Sequence, residues 1–381
     1  MKLSALLFSA ALLGSGVDAR RPTWEQLDDY SFKRYQLDFG KYYDTPEEAK
    51  RRSKIFYDNL EAIQAHNEAG HSWKKGVNRF TDMTMDERSQ LRGLDRDIYF
   101  GELADRSANE WGMDTLMEKY PCGEETMPDF ATNSSVDWRK AGVLTPVKNQ
   151  GSCGSCWAFA STETLEAHWA INTDILVELS EQFILDCTPN PHECGGTGGC
   201  GGGTAKLAYD QLAVYGGIPS EWTYPYTSGS NGTAGTCHGT PLAPPAPHAS
   251  TVERAANVTG HVSLPTNSYD AIMHAISHIG PLTITVAAGG WHDYESGIFE
   301  KTDETDLTLD HLVQLVGWGG GDGDEEPYWI IRNSWTALWG EKGFMRIRRY
   351  PDGDAPCGLD LSPMDGDGCQ GSPPNITVCG V

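Results

Sequence analysis

The stretch "NQGSCGSCWAF", residues 149–159, sets Cys153 and Cys156 three positions apart. Such a C-x-x-C pair fits a redox dithiol, half of a zinc site, or a nucleophile beside a structural cysteine. The residues that follow, "ASTETLEAHWA", contain no Gly or Pro and read as a helix that begins near Cys156, just after a Gly-containing turn. A helix N-terminus stabilises negative charge, so a thiol there is drawn toward the thiolate, the form that attacks carbonyls. A cysteine nucleophile also needs an imidazole, itself held by a third group, remote in sequence and near in space.

Of the eleven histidines, His311 stands apart, because "LDHLVQLVGWG" puts it at the start of an apolar strand followed by Gly. Asn333 ends the next apolar run, "YWIIRNSW", and the aromatic after it would shield an Asn–His hydrogen bond from water. A neutral Asn suits a cysteine site, since it orients the ring without discouraging a thiolate–imidazolium pair.

The compartment bears on the meaning of the ten cysteines. The chain starts "MKLSALLFSAALLGSGVDA", with Lys2, an apolar run from Leu3 to Leu13 and small residues Val17 and Ala19. This pattern predicts a secretory signal over residues 1–19, and the run is too short to span a bilayer. Export favours disulfides over zinc thiolates. Sequons at Asn133, Asn231, Asn257 and Asn375 fit the same route. A formal charge of −24 argues against nucleic-acid and anionic-membrane partners, and points to an acidic lysosome or vacuole, or the extracellular space.

Residues 20–130 look helical and polar. In "TPEEAKRRSKIFYDNLEAIQAHN", Thr45 is the predicted N-cap, Pro46 the first helical residue, and Glu48 closes a capping box. Glu48 and Arg52 are spaced to pair on one face, and Phe56, Asn59, Ile63 and Asn67 continue at helical spacing. An earlier helix is expected over Thr23–Phe39. From about residue 134 the texture changes to Gly, Trp, Cys and short strands, "PLTITVA", "HLVQLVGW" and "PYWIIRN" among them. Segments 227–250 and 319–327 read as surface loops, and "DGDG" at 365–368 as a solvated acidic stretch rather than a calcium loop.

Taken together, "QGSCGSCWAF", "LDHLVQLVGWG" and "NSW…WGEKGF" resemble papain-like cysteine peptidases. The resemblance extends upstream, where E-x3-R-x3-F-x2-N-x3-I-x3-N falls on Glu48, Arg52, Phe56, Asn59, Ile63 and Asn67, and "GVNRFTD", residues 76–82, matches G-x-N-x-F-x-D. This prosegment type points to the cathepsin L and papain branch. The implied fold is α+β: a two-lobed mature domain, one lobe helical and the other an antiparallel β-barrel, preceded by a helical inhibitory prosegment. The implied division is residues 20–130 for the prosegment and 131–381 for the peptidase domain with a C-terminal extension.

The resemblance also implies roles. Cys156 matches the nucleophile, His311 the base, Asn333 the residue that fixes its ring, Gln150 an oxyanion donor, and Trp335 the cover of the Asn–His bond. Around the pocket for the second residue before the cut it sets Ala205, Thr285, Leu309, Leu312 and Ser362, none of them acidic, so a hydrophobic side chain is expected there. Leu312 replaces the usual small residue and would narrow that pocket. Gly202 and Gly203 would leave backbone free to pair with an extended substrate. The implied disulfides are Cys153–Cys200 and Cys187–Cys237. With Cys122 in the prosegment, Cys194, Cys357, Cys369 and Cys379 can pair in three ways, and the tail is expected to fold back and supply a partner for Cys357. His311 and Asn333 lie 155 and 177 residues beyond Cys156, above the roughly 130–150 usual in the family; insertions in 188–199 and 227–250 would account for the excess. No metal or cofactor is implied, and the partners are polypeptide substrates and the chain's own prosegment, in a monomer. The expected activity is that of an acid-activated endopeptidase zymogen, acid acting on carboxylates such as Glu48 and Asp82. Competing expectations are an aminopeptidase resembling cathepsin H, suggested by Cys122, and a non-catalytic matrix or binding relative.

Overall fold

Thr45 opens the first long helix as its sequence predicts. Its side chain accepts from the Glu48 N–H at the start of α2 (Pro46–Glu68), with Pro46 at a position where a missing N–H costs nothing. Glu48 does not close a capping box: its carboxylate instead receives Arg51 and Arg52, the latter at 2.7 Å. The expected helix over Thr23–Phe39 is broken into a 3-10 turn, Trp24–Gln26, and α1 (Phe32–Asp38), because Ser31 caps the Arg34 N–H and starts a new helix. Phe56, Leu60 and Ile63 of α2 pack on Leu27, Tyr30, Tyr35 and Val77. Asn59 and Asn67 spend their amides on the carbonyls of Thr81 and Lys75, fastening the following chain to the helix. These contacts belong to a computed structural model, which describes residues 21–92, 135–238, 253–301, 307–321, 326–350 and 354–379. The expected signal segment and Cys122 lie outside those residues.

β1 (Trp73–Lys75) and α3 (Met85–Gln90) complete the described prosegment. The helical lobe is built around α4 (Cys156–Thr173), with α5 (Glu181–Cys187) and α6 (Ala205–Tyr215) packed about Trp157. The other lobe holds β2 (Val136–Asp137), α7 (Tyr269–His278), β3 (Leu282–Val286), β4 (Tyr294–Phe299), β5 (His311–Gly319), β6 (Tyr328–Arg332) and β7 (Phe344–Arg348). The expected strands are all present. Among the described residues they form one seven-stranded sheet in the order β1-β4-β7-β6-β5-β2, with β3 also on β5 and no closed barrel, and β4 runs parallel to β7. β5 is buried along its whole length, which explains its unbroken apolar run. β1 of the prosegment is the sheet's edge strand, pairing Trp73 with Gly297 of β4, so the prosegment docks by strand addition. Among the described residues no helix is long and apolar enough to cross a membrane.

A last hairpin, β8 (Cys357–Asp360) and β9 (Ile376–Cys379), is closed by Cys357–Cys379, so the tail does fold back on Cys357. Cys194 pairs with Cys369, and the structure also joins Cys153 to Cys200 and Cys187 to Cys237. Asp365 of "DGDG" ends a 3-10 turn, Pro363–Asp365.

Candidate active site

Cys156 is the first residue of α4, where the helix N-terminus favours its anion. Its thiol is free, whereas Cys153 is bonded to Cys200, which removes the redox-dithiol reading of the motif. Gly203 lies against the Trp157 ring: a methyl group there would sit 2.8 Å from it. The next turn of chain carries Ala205 into the same cluster as Cys156 and Leu312, so the first residues of two helices and one strand of the opposite lobe meet.

His311 begins β5, paired with Val286 of β3. Its Nε2 lies 2.9 Å from Asn333 Oδ1. That oxygen also accepts the Ser334 N–H at 2.8 Å, so Nε2 is the donor and Nδ1 is left as the ring's proton acceptor. Nδ1 is buried without a hydrogen-bond partner. Trp335 stacks on the imidazole at 4.9 Å, and Trp291 meets it edge-on at 6.4 Å. Trp335 thus covers the ring of His311 and is itself wholly buried.

Gln150 is fully buried, and its orientation follows from its partners. Oε1 accepts from the Ser334 hydroxyl at 2.7 Å, so the amide nitrogen faces the other way. Nε2 donates to Leu91 O at 2.6 Å and to Cys153 O at 2.9 Å. Cys156 Sγ lies 3.9 Å from Arg92 O. A peptide unit of the prosegment therefore occupies the site, with one carbonyl on the amide and the next beside the sulfur. The Arg92 guanidinium pairs with Asp310, immediately before His311, and Asp310 also accepts the Ala288 N–H at 2.8 Å.

This cover changes the protonation of the pair. Burial pushes the Cys156 thiol up to about 12, outweighing the backbone N–H groups of Leu312, Trp157 and Cys156 that favour its anion. Burial also drives His311 down to about 4, against the Asn333 hydrogen bond that favours its cation. In the covered site burial thus disfavours the charged form of both groups.

The remaining sequence-predicted residues are placed as follows. Gly202 has its carbonyl taken by the Gly198 N–H at 2.8 Å, so only part of the expected glycine backbone is open to pairing. Leu312 and Thr285 are opposite each other on β5 and β3. Leu309 and Ser362 are joined through a buried residue that sequence reasoning missed: Asp360 accepts the Leu309 N–H at 3.2 Å and the Ser362 N–H at 2.8 Å. Ser362 itself is exposed. Leu91, Arg92, Asp310 and His292 were also missed. Only a charge beside the His offered any hint, in the Asp310–His311 pair.

Glu48 and Asp82 do not join prosegment to mature domain. Arg51 and Arg52 hold Glu48 down to about 2. Asp82 is penalised by burial, but Lys41, Tyr43 and Tyr35 outweigh this and hold its carboxyl below the usual range. Both therefore protonate at lower pH than free carboxylates, and protonating them weakens contacts within the prosegment's own fold. Among the described residues, the ion pairs that cross to the mature domain are Arg88–Asp293 at 2.9 Å, Arg92–Asp310 and Arg21–Glu295 at 3.6 Å.

Comparison with known proteins agrees with this geometry. Residues 132–364 match the papain family cysteine protease, and residues 32–87 the cathepsin propeptide inhibitor domain. The chain is 35% identical to a senescence-specific cysteine protease of Arabidopsis thaliana over 84% of this chain and 85% of the relative. It is 33% identical to procathepsin L of Mus musculus over 93% and 96%. Among solved structures, a recombinant stem bromelain precursor superposes with TM-score 0.66 at 30% identity, covering 92% of this chain and 97% of that one. A digestive procathepsin L2 of Tenebrio molitor gives 0.67 at 27% identity, covering 92% and 98%. This chain belongs to the papain family of cysteine proteases and is a proenzyme that carries its own propeptide inhibitor.

Proposed function

We propose that the enzyme is an endopeptidase of the cathepsin L type, with Cys156 as nucleophile, His311 as base and acid, Asn333 as the ring's anchor and Gln150 as oxyanion donor. One observation carries the assignment: a peptide carbonyl of the chain itself, that of Leu91, is already held on the Gln150 amide, with the next carbonyl beside the Cys156 sulfur. Once residues 20–130 are removed from the mature part, 131–381, water reaches the pair and His311 Nδ1 takes the thiol proton. The thiolate then attacks the substrate carbonyl carbon, and the oxyanion accepts from Gln150 Nε2 and the Cys156 N–H. Nδ1 gives its proton to the leaving amine as the C–N bond breaks. Nδ1 then removes a proton from water, the hydroxide attacks the thioester, and the thiolate leaves.

The side chain two residues before the cut would lie between Gly203 and Ala205 on one side and Leu309 and Leu312 on the other, an apolar setting that selects a hydrophobic residue. The secretory segment and acidic surface support the secretory pathway, ending in lysosome, vacuole or the extracellular space, and a monomer acting on polypeptides. The four disulfides use every cysteine but Cys122 and Cys156, leaving no structural cysteine to tether a retained prosegment peptide through Cys122. Acid activation followed by a fluorogenic peptide series tests the assignment. Cys156→Ser should lose all turnover, and a variant that cleaves as fast as the wild type would refute the mechanism.

A further inference from the structure

The lobes that carry Cys156 and His311 are also joined by a buried polar cluster that takes no part in the reaction steps above. Glu163 follows Cys156 by two helical turns and so lies on the same face of α4. Gln314 stands three residues beyond His311 on β5, and Arg332 ends β6 immediately before Asn333. All three side chains are buried, none more than 1% exposed. Gln314 Nε2 donates to Glu163 O at 2.9 Å, and Gln314 Oε1 accepts from Arg332 Nη1 at 3.3 Å. The circuit closes where Arg332 Nη2 lies 3.4 Å from Glu163 Oε1. The same nitrogen donates to Thr145 Oγ1 at 3.1 Å and to Pro146 O at 2.6 Å, which fixes the guanidinium plane. All these residues fall within 132–364, the matched peptidase domain, so the cluster is kept when the prosegment leaves.

Stability alone does not account for such a cluster. A buried ion pair recovers little more than its own desolvation cost, and apolar residues of the same volume often serve as well. Burial, helped by Glu166 and Glu181 and opposed by Arg332 and Lys148, raises the Glu163 carboxyl to about 7. In either protonation state an oxygen remains facing the guanidinium. What the cluster supplies is a fixed geometry between one helix and two strands. We propose that Glu163 is a positioning residue for the reaction: through Arg332 and Gln314 it sets β5 and β6, and with them His311 and Asn333, against the helix that carries Cys156. The proposal rests on the roles given above to Cys156, His311 and Asn333. A misplacement of about 1 Å between reacting groups costs up to about a hundredfold in turnover. Substrate contacts are left in place, so the loss falls on kcat and not on KM.

The test compares full-length wild type with Glu163→Met and Glu163→Gln, each acid-processed, with active sites counted by stoichiometric alkylation of Cys156. Met fills the volume but offers Arg332 no oxygen, whereas Gln keeps one. Per counted site, Glu163→Met should lose about tenfold in kcat on a fluorogenic peptide, with KM within about threefold of wild type. Glu163→Gln should bring kcat back to within about threefold. A cluster that only stabilised the fold would change the fraction of chains that fold, not the turnover of each site. Arg332→Lys keeps the charge, but a single ammonium cannot serve Glu163, Gln314 and Thr145 together, and it should cost about threefold in kcat; it decides the question if Glu163→Met does not fold. Wild-type kcat per site in Glu163→Met, or in Arg332→Lys where that variant decides, overturns the proposal and leaves the peptidase assignment standing, as does an equal loss in Glu163→Gln and Glu163→Met. A processed wild type that cleaves no peptide and is not alkylated at Cys156 overturns both.

Discussion

Arg92→Ala should unlatch the zymogen. Arg92 and Asp310 are both almost wholly buried, with side-chain exposures of 7% and 5%, and their pair joins the prosegment to the residue before His311. Removing one partner of a buried pair costs about 3–5 kcal/mol, because the other charge stays desolvated. Asp310 keeps the Ala288 N–H, so the lower figure applies. About 3 kcal/mol raises the population of the open state roughly a hundredfold or slightly more. Cys156 is 2% exposed in the closed zymogen, so its alkylation reports opening. At neutral pH, iodoacetamide should label Cys156 of the intact Arg92→Ala zymogen about a hundred times faster than wild type. Arg79→Ala is the control: Arg79 reaches Asn149 at 2.7 Å in an exposed contact, and its loss should speed labelling less than about threefold. If Arg92→Ala labels no faster than Arg79→Ala, the buried pair does not hold the prosegment in place and the reasoning fails.

Thr336 takes φ +73°, a left-handed conformation that costs a β-branched residue about 1–2 kcal/mol. Thr336→Gly relieves it, less the greater freedom of unfolded Gly, and should stabilise by about 0.5–1 kcal/mol, a Tm rise of about 1 °C by calorimetry for a chain of this size; a lower Tm would show the turn unstrained. His292 stacks on Trp335 at 4.7 Å with its Nε2 3.1 Å from Arg88 O. Burial, then Arg92, Arg88 and His311, hold it well below the ordinary imidazole value. Uncovered, it returns toward about 6.5, so release of the prosegment takes up a proton and closure weakens as pH falls below that value, by up to about 1.4 kcal/mol per pH unit. His292→Gln should flatten the rise in processing rate between about pH 6.5 and 5; a slope equal to wild type would assign the trigger elsewhere.

Much of this molecule was legible locally. Thr45 and Pro46 start a helix through contacts within one turn, and the apolar run from His311 follows from a strand buried on both faces. The C-x-x-C before a helix put a thiol where an anion is favoured, and the motif order supplied His311, Asn333 and Gln150. What the amino-acid order left open depends on segments meeting across long separations. Cys194–Cys369 closes over 175 residues, and cysteine spacing alone allowed three pairings for that set. That β1 of the prosegment extends the sheet was not legible either, because an edge strand's partner is chosen by which backbone edge lies open in space. Glu48 and Asp82 looked like the acid trigger, yet the arginines, lysine and tyrosines around them, brought together by folding, hold both carboxyls below the usual range. Hydrogen bonds within a turn are written in neighbouring residues, whereas the burial of Cys156 and His311 exists only once segments far apart in the chain have packed over them.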